Sequence, residues 1–217
     1  MTSNNHHSSH VTQADWRVSN NEIILKIFKN YVSSVTNIVD YGCGYGSTLK
    51  AAKNVFDIED LLGFDADWIQ LEHFLVDSKH FRSVDLSKST EIPRCSADLI
   101  TCIEVAEHLP EEAGKTLVKR ISESTNFAIF SAAIPTQRGF GHINLHWQSY
   151  WGRIFEAYNF EVYDIFRPAT CGMKQFPFWL KQNLFLYVRK GFAPAGLQAK
   201  KISVDFQDFI HKSFTPE

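Results

Sequence analysis

Apolar and polar positions recur along this chain at two different periods, and the order in which the periods alternate outlines an architecture. Between residues 21 and 31, Ile23, Ile24, Ile27, Phe28 and Tyr31 fall at helical spacing behind polar Ser19 and Asn20, which are suited to capping a first turn. Apolar runs of strand length follow at 37–41, 61–64, 81–86, 98–105 and 127–134. The intervals between them are long enough for crossover helices. Leu49, Ala51, Ala52 and Val55 mark one such helix, and Ala113, Leu117, Val118 and Ile121 mark another. A later stripe of Tyr150, Trp151, Ile154, Phe155 and Tyr158 precedes two more strand-like runs, at 160–166 and 183–188. This alternation predicts an α/β fold, a doubly wound and mostly parallel sheet with helices on both faces.

Residues 1–20 read as a polar, flexible tail and 21–190 as the domain. Residues 191–217 read as a linker around Ala193-Pro194-Ala195-Gly196 that leads to a short amphipathic surface helix at 204–214. With 217 residues, 44% of them hydrophobic, the chain can bury one full core but not two large ones. A formal net charge of −2 provides no field for capturing a polyanion, so nucleic acid is not an expected partner. Cys43, Cys95, Cys102 and Cys171 form no C-x-x-C pair and read as reduced thiols. No apolar stretch of signal-peptide or membrane-span type is present, which makes the expected setting the cytoplasm. His6, His7 and His10 read as part of the polar tail rather than as a metal site.

Ligands of an open parallel sheet collect beyond the carboxyl ends of its strands, so the chemistry is sought there. The first strand ends in Asp40-Tyr41-Gly42-Cys43-Gly44-Tyr45-Gly46, a loop that must turn tightly and approach a ligand closely. A dinucleotide fingerprint would need a third glycine where Ser47 stands, which disfavours a nicotinamide cofactor. The second strand ends at Asp65, followed by Ala66, where a carboxylate can accept both hydroxyls of a ribose. Asp67 is the fallback, and Trp68 is suited either to adenosine or to the core.

The D-x-G-x-G-x-G form resembles motif I of class I S-adenosylmethionine (SAM)-dependent methyltransferases. The stretch 97–109, with Glu104-Val105-Ala106-Glu107-His108-Leu109, resembles motif IV of that family in its E-V-x-E-H-L form. The resemblance covers about residues 35–190. It implies a Rossmann-like seven-stranded sheet whose last strand is antiparallel, and SAM as cofactor. It also implies cofactor contacts from Asp40, Gly42, Cys43, Gly44, Gly46, Asp65, Ala66, Asp85, Leu86 and Glu104. In that scheme Asp85 accepts from the adenine amine and the Leu86 N–H donates to a ring nitrogen; the competing reading of Asp85 is a residue capping its own turn.

Methyl transfer is an in-line displacement with a neutral leaving group, so the protein must align the acceptor and, for a hydroxyl, remove its proton. The candidates for that work are His142, His108, Glu107 and His146. His142 is the preferred base because Gly139 and Gly141 make its loop adjustable. The bland readings are that His108 closes a turn and that His146 serves a buried carbonyl. Glu104, Glu107, His108 and His142 would suit a divalent metal, as in the small-RNA 3′-terminal 2′-O-methyltransferases that the E-x-x-E-H form also resembles, but the expectation is no metal. Segments 141–144, 149–151 and 182–183 resemble bacterial and phage-type methyltransferases of small molecules or glycans. The expected activity is therefore O-methylation of a small molecule or sugar. The rivals are metal-dependent RNA 3′-terminal 2′-O-methylation and a SAM-binding partner protein without catalysis. Tyr45, Trp147, Trp151, Phe176, Phe178 and Trp179 are candidate walls of an acceptor pocket.

Overall fold

The computed structural model describes residues 13–135 and 137–213. Helix α1 (Ala14–Lys29) leads into β1 (Asn37–Tyr41), α2 (Ser47–Phe56), β2 (Asp60–Asp65), β3 (Phe81–Ser83) and β4 (Leu99–Ile103). Then come α3 (Glu111–Ser124), β5 (Phe127–Ser131), α4 (Gln148–Ala157), β6 (Phe160–Tyr163), α5 (Phe166–Thr170), α6 (Phe178–Asn183), β7 (Phe185–Arg189) and β8 (Lys201–Ile202). The strands form one sheet in the order β3-β2-β1-β4-β5-β7-β6-β8. Strands β1 to β5 pair in parallel, β7 enters antiparallel between β5 and β6, and β8 pairs antiparallel with β6.

The central strands are buried on both faces, which is why they appear in the sequence as continuous apolar runs. Successive side chains of β1 and β4 go to opposite sides. Val39, Tyr41, Ile100 and Cys102 join the core under α3 and α4, where Leu117, Val118, Ile121, Trp151 and Phe155 meet them. Ile38 and Leu99 join the other core with Ile24, Leu25 and Phe28 of α1 and Leu49, Ala51 and Ala52 of α2. Among the described residues, no helix is long and apolar enough to cross a membrane.

Three sequence expectations are corrected. The sheet has eight strands rather than seven, because Lys201 and Ile202 add to the edge of β6 through Tyr163 and Val162. The helix expected at 204–214 is a single 3-10 turn, Val204–Phe206, followed by irregular chain through residue 213. That segment is tied into the body rather than lying on the surface: Gln207 is fully buried and donates to the Tyr187 hydroxyl at 2.8 Å. Residues 14–20, assigned to the tail, are the first two turns of α1, where Asn20 donates to the Trp16 carbonyl. His6, His7 and His10 lie outside the described residues.

Candidate active site

Parallel register sets Asp40 of β1 opposite Thr101 of β4, and both face the α1–α2 side of the sheet. Thr101 Oγ1 donates to Asp40 Oδ1 at 2.6 Å, and Thr48 from the first turn of α2 also bonds the carboxyl. Burial raises the Asp40 carboxyl to about 7, against the pull of Thr101 and Thr48 and with a further push from Asp65. Between its ordinary value of 3.8 and 7 the unfolded chain releases a proton that the folded chain keeps, so stability falls with rising pH across that window and is flat above it. The ionised carboxyl then costs the fold about 4 kcal/mol at pH 8. Asp40→Asn is expected to raise the unfolding free energy at pH 8 by about 1–3 kcal/mol and to lose that advantage near pH 4, as read by denaturant titration at both pH values.

Beyond Asp40 the chain turns at Gly42, whose φ of +74° is left-handed. A Cβ there would lie 2.9 Å from Val105 Cγ1 and nearer still to Cγ2. Gly42→Ala should therefore cost about 2–5 kcal/mol from the strained φ and the overpacking combined. The thermal midpoint should fall by roughly 5–15 °C. The Gly42 and Cys43 amides donate to the Phe64 carbonyl, pinning the turn to the end of β2, while the Cys43 thiol packs into the core. Gly46 caps α2, so the positive end of that ten-residue helix points into the loop, where an anionic group is favoured.

Asp65 is the hub of this corner. It accepts from the Gly44 amide at 2.8 Å, the Ala66 amide at 2.8 Å and Trp68 Nε1 at 3.0 Å. Burial raises its carboxyl above the usual range and these three bonds hold it down. Trp68 thus serves Asp65 with its indole N–H and stands edge-on to Tyr45, with ring centroids 5.7 Å apart. Asp85 accepts from Ser87 N at 3.0 Å and Ser87 Oγ at 2.6 Å and pairs with Lys88, so here the turn-capping reading describes its contacts. The Leu86 side chain lies in the core.

At the end of β4, Glu104 has a φ of +56°, a left-handed conformation that costs a non-glycine residue about 1–3 kcal/mol. Its amide donates to the Ser131 carbonyl and hydroxyl, and its carboxylate accepts from Gln137 Nε2 and Asn183 Nδ2, each at 3.3 Å. Burial raises the Glu104 carboxyl despite those bonds. Three residues on, Glu107 is wholly buried; burial, then the neighbouring Glu104 charge, push its carboxyl well above the usual range. Neither Glu107 oxygen has a well-formed hydrogen bond, although the Glu107 and Ala133 amides lie near enough to ease its charge.

The loop 137–147 is stitched over this turn. Ile143 N and Asn144 N both donate to the Glu107 carbonyl, and Asn144 Nδ2 donates to the Ala106 carbonyl. That brings the His142 ring edge-on to His108, centroids 4.9 Å apart, and the ligand atoms of Glu107, His108 and His142 lie within 4.8 Å of one another. A Cβ on Gly139 would fall on the His142 ring, so glycine is what leaves room for it. His142 Nδ1 lies 2.9 Å from the Gln137 carbonyl and His108 Nδ1 lies 3.3 Å from the Gly141 carbonyl. A carbonyl only accepts, so in each neutral ring the proton sits on Nδ1 and the lone pair on Nε2. His142 therefore presents a base, or a metal ligand, beside a buried acid.

His146 does not join this group. Its ring stacks on Tyr150 at 3.7 Å, edge-on to Trp151, and burial lowers its pKa. Glu104 is not one of the three clustered residues, although its carboxyl neighbours that of Glu107; Gln137 and Asn183 donate to it. Gln137 and Ser131 were not singled out from the sequence. Gln137 grips Glu104 with its side chain and His142 with its carbonyl, a role no local pattern announces.

Neither a protein-family model nor a curated protein sequence matches the chain. Solved structures do match in three dimensions. Streptomyces venezuelae DesVI superposes with a TM-score of 0.57 at 11% identity, over 80% of this chain and 92% of that one. Human N-acetylserotonin methyltransferase in complex with SAM gives 0.54 at 15% identity, over 87% of this chain and 60% of that one. The small RNA methyltransferase HEN1 gives 0.55 at 16% identity, over 81% of this chain but only 26% of that one. The fold is thus one that SAM-dependent methyltransferases share.

Proposed function

We propose that this chain is a SAM-dependent methyltransferase acting on oxygen in a small molecule, with His142 as the base. The observation that carries the reading is the meeting, at one end of the sheet, of the left-handed Gly42 turn, the Asp65 hub and the Glu107-His108-His142 cluster. The residues fit the cofactor by chemistry. The Gly42–Gly46 loop and the start of α2 suit its carboxylate, Asp65 its ribose hydroxyls, and Glu104 the donor end near β4. SAM, when bound, supplies a methyl group on a sulfonium that departs as a neutral thioether. His142 Nε2 takes the proton that the acceptor hydroxyl gives up, and the Gln137 carbonyl bonded to Nδ1 steadies the imidazolium that results.

A second reading rests on the same cluster. Two imidazole nitrogens and one carboxylate are a donor set for a divalent transition metal, and ionised Glu107 would then have the cation as its counter-charge. That reading suits an RNA 3′-terminal acceptor. Transfer of labelled methyl from SAM to a panel of small hydroxyl compounds, with and without a chelator, separates the two. Chelator-resistant transfer to a small molecule supports the first reading. Transfer only to RNA ends, lost on chelation and restored by added divalent metal, would replace it with the second.

A further inference from the structure

A cavity of about 370 Å³ opens between the turn after β6, helix α6 and the C-terminal segment. Its position follows from strand direction. β6 runs parallel to β1–β5, so Asp164 and Arg167 emerge at the same end of the sheet as Gly42 and Glu104. β7 runs the opposite way, so Lys181, on the helix that feeds it, arrives at that end too. The donor corner lies over β1, β2 and β4, whereas this cavity lies over β6 and β7, on the far side of β5. The two are joined by hydrogen bonds. Asn183, two residues after Lys181, donates to Glu104, while His211 in the cavity wall donates its amide to Gln182 Oε1, and Gln182 Nε2 donates to Gln137 Oε1.

The charges in the wall are unequal in their partners. Arg167 Nε pairs with Asp164 at 2.8 Å, and its guanidinium lies over the rings of Phe185 and Phe209. Asp208 gives both oxygens to Ser149, accepting from its amide and its hydroxyl at 2.8 Å each. Lys181 differs. It is 7% exposed and its ammonium donates to the Met173 carbonyl at 2.6 Å, yet no carboxylate among the described residues pairs with it. With one carbonyl as its acceptor and three N–H donors, the Lys181 ammonium in the cavity wall has donors left for an anion. Phe206 and Phe209 also line the cavity while remaining solvent-exposed, and offer aromatic faces to an apolar body.

We propose that the cavity is an oxyanion-binding subsite: it holds a small molecule with an apolar body through a carboxylate or phosphoryl group on Lys181. The identification of that molecule as the methyl acceptor rests on the methyltransferase reading; the anion site itself does not. The test is an amide-resolved NMR titration of the full chain with inorganic phosphate, acetate and benzoate, beside calorimetry with SAM.

The expected result is saturable shifts at Cys171, Lys181 and His211 with each probe, benzoate binding more tightly than acetate. Lys181→Met should bind each probe at least tenfold more weakly and Lys181→Arg within threefold of the natural chain, while SAM affinity stays unchanged in both. Shifts confined to the Gly42–Gly46 loop, or undiminished binding by Lys181→Met, overturn the proposal. If Lys181→Met fails to fold, the natural chain decides alone, because no saturable shift at those three amides overturns it equally. Anion binding without SAM binding would leave the subsite standing and remove the methyltransferase reading.

Discussion

Alanine in place of His142 should lower the methyl-transfer rate by about 10²–10⁴-fold, the ordinary worth of a positioned general base. The dissociation constant for SAM should stay within about twofold, because the side chain acts on the acceptor and not on the donor corner. The geometry sets this expectation. The Gln137 carbonyl fixes the Nδ1–H tautomer, Gly139 makes space for the ring, and two amides bonded to the Glu107 carbonyl hold the loop in register. His146→Ala is the control. Its ring stacks on Tyr150 away from the cluster, so its loss should tell in the thermal midpoint rather than in the rate. Single-turnover kinetics with labelled SAM reads both variants, and near-normal transfer by His142→Ala would remove His142 from the mechanism.

Asp65→Asn should weaken SAM binding by about 100-fold, the equivalent of roughly 2.7 kcal/mol. The carboxylate now accepts three N–H bonds, from Gly44, Ala66 and Trp68, and still has acceptor capacity for a ribose hydroxyl. An amide has one acceptor oxygen, and its NH2 would face amides that also donate. The substitution thus removes a ligand contact and loosens the Gly44 turn together. Trp68→Phe, which deletes one donor on the exposed side, should cost less than tenfold. Calorimetric titration of both variants checks the ranking.

Much of this arrangement was legible in the sequence. Central strands read as largely apolar runs, and an acid stands at or next to the end of each of three of them: Asp40 one residue before the end of β1, Asp65 at the end of β2 and Glu104 just past β4. What escaped the reading is what has no period. β8 is two residues long, too short to show alternation, and its partner lies some 40 residues away. Gln137 and Asn183 reach Glu104 across sequence separations of 33 and 79 residues. His142 and His146 stand four apart in one loop, yet the bonds of Ile143 and Asn144 to Glu107 send only the first to the cluster. Asp85 was ambiguous for a local reason, since an acid at a strand end followed two residues later by serine serves a ligand or its own turn equally well, and its contacts here are those of the turn.

The central claim is that the corner built by the Gly42 turn and Asp65 receives SAM. Isothermal titration of the full chain with SAM, with NADH as a parallel ligand, tests it most directly. The account predicts one saturable site for SAM that is weakened about 100-fold in Asp65→Asn, and no binding of NADH. Tight NADH binding with no heat from SAM would contradict it.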